Sequence, residues 1–158
     1  MRKTFLTLVL VILFASLSYG ADLNEWNVEV NINTDRTTDF VVVLKYNNTV
    51  QRSDYFIRTN IRNVQVTADG NKVNCDVAQK GIGTSVVCED ISAEKITYNF
   101  TALNLIDLRG KFFNFEYRFA ISSLTDKFSS TIKLPLGYTL VSESELEDLR
   151  PIFFNKAD

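Results

Sequence analysis

Val64-Gln65-Val66-Thr67-Ala68-Asp69-Gly70-Asn71-Lys72-Val73-Asn74-Cys75 is the stretch that decides the fold. On either side of Asp69-Gly70 the apolar residues take every second position, the period of a strand with one buried face. Asp-Gly between two such runs is the strongest short-range hairpin signal. Both central residues of a type I′ turn have positive φ, which Asp tolerates and Gly adopts freely. The turn sets Val66 opposite Val73 and Val64 opposite Cys75. A second tight turn at Lys80-Gly81-Ile82-Gly83 sets Val77 opposite Val86 and Cys75 opposite Cys88. The two hairpins predict a three-stranded meander with Val64, Val66, Val73, Cys75, Val77, Val86 and Cys88 on one face. Directly opposed residues of antiparallel strands have Cα atoms roughly 4.5–5.5 Å apart, within the range of a disulfide. The register therefore predicts a Cys75–Cys88 bridge, structural rather than redox-active, since Cys-x-x-Cys spacing is absent.

The same alternation extends outward in both directions. Upstream, Trp26, Val28, Val30 and Ile32 share one parity, and residues 40–44 are continuously apolar, the pattern of a central strand covered on both faces. Tyr46 precedes a turn-like Asn47-Asn48. Tyr55, Ile57, Thr59 and Ile61 are odd-numbered whereas Val64, Val66 and Ala68 are even, so a bulge or a corner between sheets is predicted near Arg62-Asn63. Downstream, Ile96, Tyr98 and Phe100 alternate. Phe113, Phe115, Tyr117, Phe119 and Ile121 then make the longest aromatic face, backed by Asn114, Glu116 and Arg118, and residues 128–134 are the expected partner strand. In Ser142-Glu143-Ser144-Glu145-Leu146-Glu147-Asp148-Leu149 a capping-box pattern replaces the β period, so one or two helical turns are expected before Pro151. About nine strands and one short helix near the C-terminus predict an all-β chain. Its architecture is expected to be an antiparallel β-sandwich, immunoglobulin-like in general form.

Met1-Arg2-Lys3, an apolar run over residues 5–17 and Ser18-Tyr19-Gly20 make the three parts of a secretory signal peptide. Residues 1–20 are expected to be removed before Ala21, leaving 21–158 as a single β-sandwich domain, secreted or extracytoplasmic at the cell surface, where disulfides persist. No second apolar stretch approaches the roughly 20 residues that cross a bilayer, so no transmembrane segment is expected in the mature chain. Arg2 and Lys3 leave with the signal while all 19 acidic residues stay, which makes the mature chain more acidic than the −2 of the full sequence. Nucleic acid, which binds clustered Lys and Arg, is not an expected partner.

The chain has no histidine. That excludes Ser-His-Asp and Cys-His nucleophiles, imidazole general bases and histidine-ligated zinc. Glu143, Glu145, Glu147 and Asp148 lack the Asp-x-Asp and glycine spacing of a calcium loop and suit the first turn of a helix instead. No catalytic, cofactor-binding or metal-ligating residues are expected. Asn47-Asn48-Thr49 and Asn99-Phe100-Thr101 match the glycosylation acceptor pattern at Asn47 and Asn99. These features point to a non-enzymatic interaction or cell-envelope module whose partner is another envelope or surface protein. The alternative is a carbohydrate-binding or carboxylate-dependent carbohydrate-cleaving domain, which would line a groove with aromatics such as Trp26, Tyr46, Tyr55 and Tyr138, or set two carboxylates across one cleft.

The opening Glu25-Trp26-Asn27-Val28-Glu29-Val30, the late Phe115-Glu116-Tyr117-Arg118-Phe119 and the following Leu134-Pro135-Leu136-Gly137-Tyr138-Thr139-Leu140 resemble a group of archaeal surface proteins. The resemblance implies an N-terminal extracytoplasmic β-sandwich domain with a Leu-Pro-x-Gly turn after a pair of long strands, ahead of a membrane anchor. It implies no catalytic residues. This sequence differs in reaching Asp158 without a membrane segment, which leaves two expectations open, anchoring by a partner or a truncated gene.

Overall fold

A computed structural model describes residues 22–109, 112–119, 125–140 and 152–156. The signal peptide expected at 1–20 and the helical turns expected at 142–149 lie outside the described residues. Thirteen strands are present among the described residues: β1 (Leu23–Ile32), β2 (Thr38–Val50), β3 (Ser53–Ile57), β4 (Ile61–Ala68), β5 (Asn71–Val73), β6 (Asp76–Lys80), β7 (Gly83–Cys88), β8 (Ala93–Ala102), β9 (Ile106–Arg109), β10 (Phe112–Phe115), β11 (Thr125–Lys133), β12 (Tyr138–Leu140) and β13 (Ile152–Lys156). They form a six-stranded sheet in the order β11-β1-β2-β8-β4-β5, a three-stranded sheet β3-β7-β6 and a four-stranded sheet β12-β13-β10-β9. All pairings are antiparallel except β1 with β11.

Alternation fixes the inner face of the large sheet. Val28, Val30, Phe40, Val42, Leu44, Ile96, Tyr98 and Phe100 are buried there, with the Phe40 and Phe100 rings stacked at 5.1 Å. Tyr55, Ile57, Val86 and Cys88 of the small sheet are buried in the same core. A polar tether ties the two sheets. The Ser53 hydroxyl of β3 accepts a 2.6 Å hydrogen bond from Tyr98 of β8 and lies 3.2 Å from the hydroxyl of Tyr46 in β2. Tyr55 stacks on the Tyr98 ring at 5.2 Å beside it. Buried hydroxyls satisfied in this way fix the register of one sheet over the other as well as filling space. The opposite face of the large sheet is polar, laced by Glu25–Lys45 and Glu29–Lys133 ion pairs and by an Asn27–Ser129 hydrogen bond.

Both hairpins take the predicted register. Val66 pairs with Val73 across Asp69 and Gly70, whose φ values of 48° and 86° are those of a type I′ turn. Val77 pairs with Val86, and the second turn has positive φ only at Gly81, the pattern of type II′. The single meander is corrected, however. Between β5 and β6 the chain leaves the large sheet for the small one, so the two hairpins lie in different layers and Val64 has no Cys75 rung. β5 is the edge of the large sheet and ends after three residues. Val77, half exposed on the edge strand β6, accordingly sits outside the core. The phase change near Arg62-Asn63 proves to be both predicted devices at once. The chain turns a corner between sheets at residues 58–60, and β4 then carries a register shift between Arg62 and Gln65 around Asn63 with φ 55°.

Four further expectations change. Residues 40–44 are covered on one face only, Val41 and Val43 being half-buried on the polar side, where β-branched side chains suit an open sheet. Asn47-Asn48 lies within β2, which runs on to Val50 through a register shift, rather than in a turn. The aromatic strand stops at Phe115, and residues 116–119 leave the ladder. β11 pairs with β1 in parallel instead of with the aromatic strand. The cause is side-chain chemistry: Phe128 meets Trp26 at 4.7 Å, while Lys133 and Ser129 find Glu29 and Asn27.

A cleft rimmed by Arg58 and Arg118

Three connections converge at one end of the two packed sheets. The first, residues 58–60, carries the chain from β3 to β4; the second, 103–105, links β8 to β9; the third, 116–119, follows β10. The first two are locked together. Leu103 N–H donates to Asn60 O at 3.1 Å, and the Thr59 hydroxyl donates to Leu103 O at 3.0 Å. The Thr84 hydroxyl of β7 donates to Thr59 O at 3.0 Å, and the Gln79 amide to Asn60 Oδ1 at 2.6 Å. Asn104 takes φ 60°, a left-handed conformation that asparagine accepts better than most side chains. Arg58 and Leu105 are thus held on a braced corner.

The third connection supplies the floor. The Tyr117 ring packs on Phe40 and on Phe119, each at 5.0 Å, and its hydroxyl lies beside the Arg58 backbone, which favours its ionised form. Arg58, Leu105, Glu116, Tyr117 and Arg118 line an open cleft of about 280 Å³. Arg58 forms no ion pair among the described residues. The Arg118 guanidinium reaches Glu116 only at 3.9 Å, with both side chains largely exposed, a pair that water leaves nearly without value. The cleft therefore presents two guanidinium groups against one carboxylate, above an aromatic and aliphatic floor. That chemistry suits an anion; among the described residues the lining contains no nucleophile paired with a base.

Burial pushes the Tyr117 phenol up to about 12 despite the Arg58 charge, and raises Tyr55 and Tyr98 in the same direction. These phenols stay neutral in the fold, whereas the unfolded chain ionises them near pH 10. Their contribution to stability is complete below pH 10 and is lost as pH rises above it, through about 12 for Tyr117 and higher for Tyr55 and Tyr98. Alkaline titration followed by circular dichroism and phenolate absorbance is expected to show these tyrosines ionising together with unfolding, later than exposed tyrosine.

The sequence-predicted residues fall elsewhere. Cys75 and Cys88 are bonded, with Cα atoms 4.3 Å apart. Asn47 is exposed near the end of β2, whereas Asn99 is half-buried on the polar face between Val41 and Gln65. Trp26 and Tyr55 are 6% and 2% exposed, and Tyr46 and Tyr138 are half-buried in separate places, so the four make no common groove. The Trp26 indole lies beside the Tyr55 hydroxyl and favours its ionised form, yet its N–H meets no acceptor at hydrogen-bonding geometry. Asn114, expected outward, is buried in β10 with its Oδ1 unpartnered among the described residues. No group of three His, Cys, Asp or Glu is placed to hold a metal among the described residues, and none of their helices is long and apolar enough to cross a membrane. The acidic cluster at 143–148 lies outside them. Arg58 and Leu105 carry no sequence signal, because only the folded corner brings them beside Tyr117.

No protein-family model matches the chain, and no curated protein matches it. Solved structures do. A mutant M1 zinc metallopeptidase from Deinococcus radiodurans, bound to a Tyr-Ser-Ala substrate, aligns with a TM-score of 0.52 at 10% identity, over 86% of this chain and 39% of that one. The same peptidase in another crystal structure gives 0.49 at 10% identity over 88% and 39%. Native yeast LTA4 hydrolase gives 0.46 at 13% identity over 85% and 26%. This chain spans well under half the length of these proteins, and the first alignment shows a shared β architecture.

Proposed function

We propose that this chain is a secreted, non-enzymatic β-sandwich interaction module of the cell envelope, whose partner is another envelope or surface protein. The observation that carries the reading is where the aromatics go. Trp26 and Tyr55, which a sugar platform would have to expose, are packed in the core, and this disfavours the carbohydrate-binding alternative. The oxidised Cys75–Cys88 pair supports an extracytoplasmic site of action. The resemblance to archaeal surface domains agrees with it. Export is expected to remove residues 1–20, so intact-mass analysis of the exported protein should give a chain beginning at Ala21. A full-length chain retained in the membrane would instead make residues 5–17 an anchor.

A second reading follows from the alignment with part of a larger peptidase: a β domain that works beside a peptidase-type catalytic unit. A chain without histidine supplies no imidazole to a zinc centre, so in that reading the chemistry belongs to the partner. Chemical cross-linking in the native envelope separates the two readings, since the second requires a peptidase among the linked proteins.

A further inference from the structure

We propose that the cleft between Arg58 and Arg118 binds a single carboxylate attached to an apolar group, the chemistry of a peptide chain end. This deepens the interaction-module reading and rests on it. Three observations carry it. First, among the described residues the cleft is lined by two arginines and one carboxylate residue, Glu116, an excess of one positive charge. A monoanion balances that charge, and a dianionic phosphate would overfill it. The planar guanidinium fork matches a carboxylate in bidentate fashion. Second, the floor is Leu105 and the Tyr117 ring, so the ligand's neighbouring group is apolar. Third, the site is preorganised. Thr59, Leu103 and Thr84 pin the corner bearing Arg58, and Phe40 and Phe119 clamp Tyr117. The ordering that binding requires is confined to the exposed Arg58 and Arg118 side chains.

The test titrates the mature protein with N-acetyl-leucine, N-acetyl-leucinamide and inorganic phosphate, following backbone amide shifts by NMR. N-acetyl-leucine is expected to shift residues 58–60, 103–105 and 116–118 to saturation, the uncharged amide to leave them in place, and phosphate to bind more weakly. Arg58→Gln and Arg118→Gln are each expected to weaken N-acetyl-leucine about tenfold, the loss of one charge-assisted contact, with thermal melts unchanged because both side chains are exposed. Equal binding of acid and amide, tighter binding of phosphate, or no shift in these segments overturns the proposal. Export and envelope retention are scored separately. If they hold while N-acetyl-leucine fails, the ligand assignment falls and the module reading stands.

Discussion

Phe115→Ala is expected to destabilise the protein by about 3–5 kcal/mol, the usual cost of truncating a buried aromatic and leaving a cavity. Phe115 is 2% exposed at the end of β10, between Ile106 of β9 and Ile152 of β13. It joins the four-stranded sheet to the common core. Its neighbour Glu116 points into solvent with only a loose contact to Arg118, so Glu116→Ala should stay within about 0.5 kcal/mol of the parent. Urea melts of the two variants measure the difference. Equal, small losses would mean that the aromatic run is a surface feature and that the core ends before β10.

Replacing both Cys75 and Cys88 by Ser is expected to weaken the fold by about 3 kcal/mol, the loop-closure contribution of a bridge of this span. Asp76 pairs with Val87, so the bridge sits one rung beyond the β6–β7 ladder, next to the point where the chain passes from the large sheet to the small one. Cys88 is fully buried beside Ser53 in the register of β3. The bridge ties the crossing to a strand paired on both sides. Non-reducing peptide mapping should recover one Cys75–Cys88 linked peptide, and melts with and without reductant should differ by the amount given. Two alkylatable thiols in the native secreted protein would contradict both the pairing and the oxidising compartment.

How much was legible in the sequence depended on how local the cause was. The two hairpins, their registers and the disulfide rest on turn residues and period-two alternation, which act within a few residues, and all three appear as expected apart from the Val64–Cys75 rung. Sheet membership does not. Nothing in Val73-Asn74-Cys75 announces that the chain changes layers there, because the reason lies in β6 pairing with β7 of the small sheet instead of continuing the large one. The parallel β1–β11 pair joins segments about a hundred residues apart through Trp26–Phe128 and Glu29–Lys133 contacts, and no local pattern encodes such a match. Gly83 shows the same limit. Its place beside a turn suggests conformational freedom, yet its φ is not positive. What excludes a side chain is tertiary: a Cβ there would overlap the Ile57 carbonyl oxygen and lie 2.6 Å from the Phe56 ring. The cleft was hidden for a similar reason. Glu116 and Arg118 are legible as outward residues, but Arg58 and Leu105 join them only through the hydrogen bonds at Thr59 and Leu103.

The most direct test of a secreted interaction module working through this cleft is retention of the exported protein in its own cell envelope, measured for the parent and for the Arg58→Glu, Arg118→Glu double variant. Both substitutions lie on exposed side chains, and equal melting of the two proteins establishes that the fold is intact. The account predicts that the parent fractionates with the envelope and that the double variant is released into the medium. Equal retention of both, or equal release of both, would contradict it.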